Sequence, residues 1–426
     1  MEAWKLNIQL LADAGTLVNA TDGYVNAYTG AKESFSGKND LSVQMKEYYD
    51  TELLENARAN LVHSQFAKKQ GLPKNRGRII EFRKWNTLED AGELQEGVIP
   101  AAQKLGSTSI SKALTQHGTY TAVTDILELH AIDDVILGAT TELGASAGTT
   151  QDKLVRNVMV AGTNKQLCDK VANGVHTKVA TRAGLDKTAR LTPDEINKAV
   201  TTLKKLKAPT INGKYIAIIH PSVAYDLRNS DGWIEAHKYA SPTEIFTGEI
   251  GELHGVRFVE TTEAKIFAGA DLASDSRTLK VKTAISSAGK NIAFEGGTVA
   301  TDALKGRLIL VGGVLCEVAS NTASSITVKE NVNNIEAGAV IAPGEGGAGG
   351  LAVYATMVFG KDAYGMVDPE GGNLQMIIKD KATAGGPLDQ FSTLGYKFEN
   401  ASLILYEDRM VRIESCGEYS DVDEEN

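Results

Sequence analysis

Apolar and polar positions change rhythm several times along this chain. From Asp40, apolar side chains recur every four residues at Met45, Tyr49, Leu53, Ala57 and Leu61, with Tyr48, Leu54 and Val62 beside them. The spacing predicts a helix capped by Asp40 and ended by Gly71 and Pro73. It reads equally as a surface helix on its own core or as an arm helix lying on a neighbour. Residues 1–39, small, polar and rich in Gly, Asn and Ser, read as an extended arm. From Arg78 the period drops to two: Ile80 and Phe82 alternate with Glu81 and Arg83 as far as Trp85. A polar, Thr- and Ser-rich run over Ser107–Thr124 supplies a second strand. The two predict a long ribbon with a charged tip over 86–106. An isolated ribbon is marginal in water, so this one must lean on something else.

A helical tract opens at Asp133 and reaches about Val160, its stripe being Val135, Ala139, Leu143, Ala147, Leu154 and Val158. Gly138, Gly144 and Gly148 weaken it by up to about 1 kcal/mol each, and a break near Gly148 would not surprise. Thr192 and Glu195 form a capping box with Pro193 at the first helical position; that helix stops at Pro209. A turn at Asn212–Gly213, a buried strand Tyr215–Ile219, a short helix from Pro221 to about Asn229 and a strand Val256–Glu260 follow, the grammar of an α/β unit. Residues 271–348 change character again. TLKVKTAI, NIAFEG, RLILVGG, LCEVAS and SITVKE are short strands between turns, a small all-β insertion, closed by PGEGGAGG (343–350) as a flexible join. LAVYATMVFG and NLQMIIKD then read as strands completing the α/β unit. A last strand-rich stretch from Gly385 ends in LILYEDRMVRIES, and the tail Glu418–Asn426 reads as acidic and disordered.

With 426 residues there is room for two or three cores. The 42 Gly against 9 Pro favour tight turns over proline-rich linkers. Cys168, Cys316 and Cys416 form no CxxC pair, so neither zinc site nor disulfide framework is signalled, and folding in a reducing cytoplasm is expected. Near the N-terminus Glu2 is followed by an apolar run too short for a signal core, and nothing approaches the roughly 20 apolar residues that span a bilayer. A net charge of −10 argues against tight gripping of nucleic-acid phosphates.

Candidate chemistry is thin. Gly344, Gly346 and Gly349 match GxGxxG, but a β-type run follows where a phosphate site needs a helix N-terminus, so a hinge is the better reading. His63, His117, His130, His176, His220, His237 and His254 are scattered without metal-ligand spacing. GxSxG, Walker A and kinase motifs are absent from the sequence. No catalytic, cofactor or metal residue is therefore nominated. Two charge runs remain: Lys68, Lys69, Lys74, Arg76, Arg78, Arg83 and Lys84, and Glu89, Asp90, Glu93 and Glu96 at the ribbon tip. They are two solvated faces, or complementary patches of a subunit interface.

Several segments carry a family likeness. KLNIQLLADAG (5–15) resembles the start common in phage structural genes. EGVIPAAQKL (96–105), HGTYTAVTDILELHAIDD (117–134), DKLVRNVMVAGTN (152–164), HPSVAYDLRN (220–229), GEIGELHGVRFVET (248–261) and VYATMVFGKDAYG (353–365) resemble one branch of the major capsid proteins of tailed bacteriophages. The resemblance implies an α+β, Hong Kong 97-like fold. Its parts would be an N-terminal arm over 1–74, an E-loop over 75–122 and a P domain over 123–190 with a spine helix. An A domain would cover 191–270 and 349–384, and P-domain return strands with the acidic tail 385–426. The β-rich segment 271–348 departs from the pattern. The implied function is structural and non-enzymatic: a subunit that self-assembles into pentamers and hexamers of an icosahedral head enclosing phage DNA. Assembly would occur in the host cytoplasm and the product would reside in the virion. Implied partners are the chain itself, scaffolding, portal and decoration proteins, and packaged double-stranded DNA through weak contacts, with no membrane. One rival is a tail, receptor-binding or carbohydrate-binding protein using the β insertion; Phe294 as the only aromatic in 271–348 argues against it. A second is an α/β enzyme with a pocket near Tyr215–Pro221.

Overall fold

The computed structural model describes residues 61–73, 77–85, 102–124, 135–172, 174–230, 251–369, 374–379, 390–420 and 423–426. It also describes Tyr24, Val25, Lys32, Glu33, Leu88, Asp90, Glu93, Leu127 and Trp233 singly. Most of the arm, most of the helix expected from Asp40 and most of the ribbon tip, with Lys74, Arg76, Glu89 and Glu96, lie outside the described residues.

After a two-residue ladder of Tyr24–Val25 with Lys32–Glu33 and a 3₁₀ turn at Ser64–Phe66, the elements in chain order are β1 (Lys68–Leu72), β2 (Ile79–Trp85), β3 (Ser107–Ala113), β4 (Thr115–Thr124), α1 (Val135–Val160) and β5 (Lys165–Leu167). After a short hairpin come α2 (Pro193–Lys205), β6 (Tyr215–Ile219), α3 (Pro221–Arg228), β7 (Glu252–Leu253), β8 (Val256–Glu260) and β9 (Ile266–Phe267). Then follow β10 (Leu279–Val281), β11 (Gly289–Glu295), β12 (Leu308–Val311), β13 (Val314–Asn321), β14 (Ser325–Val332) and β15 (Val340–Pro343). The last are β16 (Val353–Phe359), β17 (Tyr364–Pro369), β18 (Gln375–Lys379), β19 (Phe391–Asn400), β20 (Ser402–Ile404) and β21 (Met410–Ser415). The chain forms two compact units, Met1–Val155 with Tyr364–Leu405, and Arg156–Ala363 with Tyr406–Asn426.

In the first unit, β18, β19 and β4 make an antiparallel sheet. Leu143 and Ala147 of α1 pack on its Val123, Ile378, Leu394, Tyr396 and Phe398. Burying each large side chain contributes about 1.5–3 kcal/mol, more than each helical glycine removes, and α1 runs unbroken through Gly148. Two expectations need correcting. Residues 64–66 form a 3₁₀ turn and 68–72 the strand β1, parallel to β17, so no helix reaches Gly71. The apolar period ends at Val62, and Lys68 and Lys69 are exposed; main-chain bonds to β17 satisfy this stretch instead. The second ribbon strand also stops short. Leu114 is buried and its N–H donates to the Arg78 carbonyl at 2.8 Å. Beyond it, β4 pairs with β19 over ten residues, Thr115 opposite Asn400 to Thr124 opposite Phe391. The ribbon is β2 and β3 alone, Ile79 opposite Ala113 to Trp85 opposite Ser107.

The second unit holds a sheet in the order β7-β8-β6-β16-β21-β5, with β9 pairing β16. Ile196, Ala199 and Leu203 of α2 and Val223, Ala224 and Leu227 of α3 join Tyr215, Ala217, Ile219, Val358, Val411 and Ile413 in one core. Thr192 accepts from the Glu195 N–H, but the Glu195 carboxylate turns to Gln166 and Lys198; half of the capping box forms. Glu414, almost wholly buried, accepts from Arg182 Nε (2.7 Å) and Nη2 (2.8 Å) and from Arg412 Nε (2.9 Å). Arg412 in turn donates to the carbonyls of Val160 and Gly162 at the end of α1. Burial pushes the Glu414 carboxyl up, but hydrogen bonds and charge from Arg182, then Arg412, hold it below the usual carboxylate range.

Strands β10 to β15 close into a six-stranded barrel, filled by Val281, Ile292, Phe294, Ile309, Val311, Val318, Ile326 and Ile341. The glycine run after it is no flexible join. A Cβ at Gly346 would lie 2.7 Å from the Leu351 carbonyl oxygen, and one at Gly347 2.8 Å from that of Leu185. The Ala348 N–H donates to the same Leu185 oxygen at 2.7 Å. Only side chains of zero size let these backbones touch. A 3₁₀ turn and then β16 follow Gly347. Residues 423–426 of the tail, expected to be disordered, are bound to side chains and main chain of this unit.

Candidate assembly surface

Ribbon β2–β3 presents two unlike faces. Ile80 and Phe82 are buried on one, and Phe82 lies against Gly365, where a Cβ would come within 2.9 Å of its ring. The Arg78 guanidinium donates to the Leu114 carbonyl at 2.9 Å and holds the root. On the other face and beyond the strands, large apolar side chains are exposed. Ile79 is 64% exposed, Trp85 52%, Leu88 52% and Leu105 57%. These side chains are the exposed large apolar residues of the ribbon and its tip among the described residues.

The charged candidates divide. Lys68 and Lys69 are exposed on the edge strand β1. Arg83 shares the outer ribbon face with Trp85, its guanidinium 6.0 Å from the indole centre, whereas Lys84 points to the opposite face, half-buried. Asp90 and Glu93 are exposed beyond β2. The described members of the basic set therefore do not form one patch.

A second feature escaped the sequence reading. On the face of β18-β19-β4 turned away from α1 lies a hollow of about 330 Å³, lined by Gly118, Tyr120, Ile377, Lys379, Thr393, Gly395 and Lys397. Gly395 stands opposite Tyr120 and Gly118 opposite Lys397. A Cβ at Gly395 would fall 2.6 Å from that of Tyr120, and one at Gly118 2.5 Å from the Tyr396 carbonyl oxygen. Glycine inside a strand commonly signals close backbone approach, and the runs HGTY and TLGYK carried that signal. The hollow has an apolar floor and two lysines on its rim.

Residues 109–367, well over half of the chain, match the family described as phage capsid protein. The chain belongs to the phage capsid proteins. Its fold is similar to the capsid of Ralstonia phage GP4, with a TM-score of 0.51 at 12% identity over 93% of this chain and 97% of that one. The Cyanophage Pam1 capsid gives 0.50 at 11% identity over 92% and 98%. At such identity the likeness is one of fold, and that α+β fold is the Hong Kong 97-like one implied by the sequence resemblance. No curated protein matches by sequence. As a major capsid protein the chain is a structural component of the virion, and its task is self-assembly into the shell of a phage head. Among the described residues no group of three or more His, Cys, Asp or Glu is placed to hold a metal ion.

Proposed function

We propose that this capsid protein assembles into pentamers and hexamers through its ribbon. The observation that carries the reading is the ribbon itself, anchored at Phe82 and bare at Trp85, Leu88 and Leu105. The ribbon of one copy lies across the first unit of the next, with Leu88, Asp90 and Glu93 seated on the hollow rimmed by Lys379 and Lys397. Such head-to-tail contacts close into rings, and a stable contact needs about 1,600 Å² of buried surface, which a projecting limb supplies. Residues 75–122 then act as the E-loop, 191–270 and 349–384 as the A domain at the ring centre, and 271–348 as an insertion in it. Assembly takes place in the host cytoplasm, with scaffolding and portal proteins as further partners. Packaged DNA touches the acidic subunit weakly. No catalytic step is part of the reading.

Deleting Leu88–Gly106 leaves folded subunits that form no shells in negative-stain micrographs; shells at normal yield would overturn the proposal. Lys379→Glu with Lys397→Glu weakens assembly at low salt more than at high salt. Equal assembly at both would remove the hollow from the interface.

A further inference from the structure

Residues 418–420 and 423–426 lie in a groove of the second unit that reads them side chain by side chain. The Glu418 N–H donates to Asp226 at 3.0 Å and its carboxylate pairs with Arg190. Asp423 accepts from the Tyr354 hydroxyl at 2.6 Å and from the Ser222 hydroxyl at 3.3 Å. Glu425 pairs with Lys265 at 2.8 Å and accepts from the Gly269 N–H at 3.1 Å. Asn426 is held at three points. Its side-chain oxygen accepts from the Ile266 N–H (3.1 Å), its amide donates to the Ala264 carbonyl (2.9 Å), and its main-chain oxygen receives Lys265 Nζ (2.6 Å) and Arg156 Nη2 (2.9 Å). Arg156 is only 2% exposed.

The groove offers Arg156, Arg190 and Lys265 beside the acids Asp226 and Glu263, and the segment it holds is acidic. Every contact named is to a residue far away in sequence, and the segment hangs from β21 by Cys416 and Gly417. Nothing in this chemistry requires that tail and groove belong to one chain. At the mouth, Tyr225 and Tyr419 are 46% and 70% exposed with ring centres 5.3 Å apart, the residue type that anchors interfaces.

We propose that the groove is a peptide-recognition site, and that in the assembled shell it holds residues 418–426 of a second copy. The partner follows from the shell-forming reading above. Exchange of an identical segment preserves every contact, and a shell surrounds each groove with neighbouring tails at high effective concentration.

Two measurements test this separately. On unassembled full-length subunits whose own tail is weakened by Asp423→Ala and Asn426→Ala, a fluorescent peptide of residues 418–426 binds and raises polarisation, and a peptide with the same two substitutions binds at least about ten-fold more weakly. No binding, or equal binding of both peptides, overturns recognition whether or not shells form. In the full chain, Ser222→Cys with Asp423→Cys brings two thiols near each other, one at the Ser222 oxygen and one a bond short of the Asp423 oxygen that now accepts from it at 3.3 Å, while Cys168, Cys316 and Cys416 are buried. Oxidation links unassembled subunits only internally and gives assembled shells a ladder of joined subunits on a denaturing gel. Internal links alone in shells overturn the exchange; failure to form any shell with the unmodified chain would instead sink the proposed function.

Discussion

The imidazole of His63 meets the carboxylate of Asp152 at 2.6 Å, with both side chains inside the protein. The same carboxylate accepts from the His63 N–H at 2.7 Å and from the Ser64 N–H and hydroxyl at 3.3 Å, and the Tyr364 hydroxyl donates to the His63 carbonyl. One acid on α1 thus fixes where the chain enters β1. Asp152→Ala strands these buried donors and costs about 3–5 kcal/mol. Urea unfolding of unassembled subunits shows it as a lower midpoint at constant slope; an unchanged midpoint would mean the anchor carries no weight.

Acid sensitivity has a defined source in Glu414. Its folded pKa lies below the unfolded value of about 4.3, so the unfolded chain binds more protons in between. The stabilisation is complete above roughly pH 5 and drains away as pH falls through the folded value. Asp423 is shifted in the same direction: burial raises it, but hydrogen bonds from Ser420 and Tyr354 outweigh that. Glu414→Gln flattens the acid limb of midpoint against pH and, leaving Arg412 without its counter-charge, costs about 3 kcal/mol at pH 7. A variant with the parent's acid limb would refute this.

Asp226 carries the opposite sign. Burial pushes its carboxyl above the usual range, and its Oδ1 is buried without a hydrogen-bond partner. An acid raised by folding gives stability below its unfolded pKa that is lost as pH rises. Asp226→Asn keeps an acceptor for the Glu418 N–H and gains a few tenths to about 1 kcal/mol at pH 7. The difference vanishes near pH 3 in the same unfolding series, and a less stable variant at pH 7 would contradict the reasoning.

Gly347→Ala separates a packed crossing from a linker. The new methyl meets the Leu185 carbonyl, and the strain costs about 1–3 kcal/mol, read as a lower thermal midpoint. A neutral substitution would restore the flexible join.

The parts of the fold that were legible share a cause. Ile80 and Phe82 alternate because one ribbon face is buried, and Ile196, Ala199 and Leu203 keep helical spacing because α2 has one buried face. Local pattern and burial coincide there. Leu114 was illegible because the partner that ends the ribbon, β19, lies almost three hundred residues later. The hollow and the glycine crossing escaped for a related reason: Gly395 and Gly347 matter through the backbone each one touches, and their own neighbours do not reveal it. The tail was misread because its acids look solvated until Arg190, Lys265 and Tyr354 are brought to them. Of the charged candidates, spacing could show that Asp90 and Glu93 are surface residues; it could not show that Arg78 and Arg83 have local duties at Leu114 and Trp85.

The barrel begins and ends at one place. Its first and last strands pair, Leu279 opposite Ile341, so the polypeptide departs and returns about 4.8 Å apart. A module attached through so narrow a doorway can grow, shrink or be replaced without changing the register of the sheet it departs from. Changes in barrel length or sequence can therefore accumulate there while the strand pairing of the neighbouring sheet stays as it is.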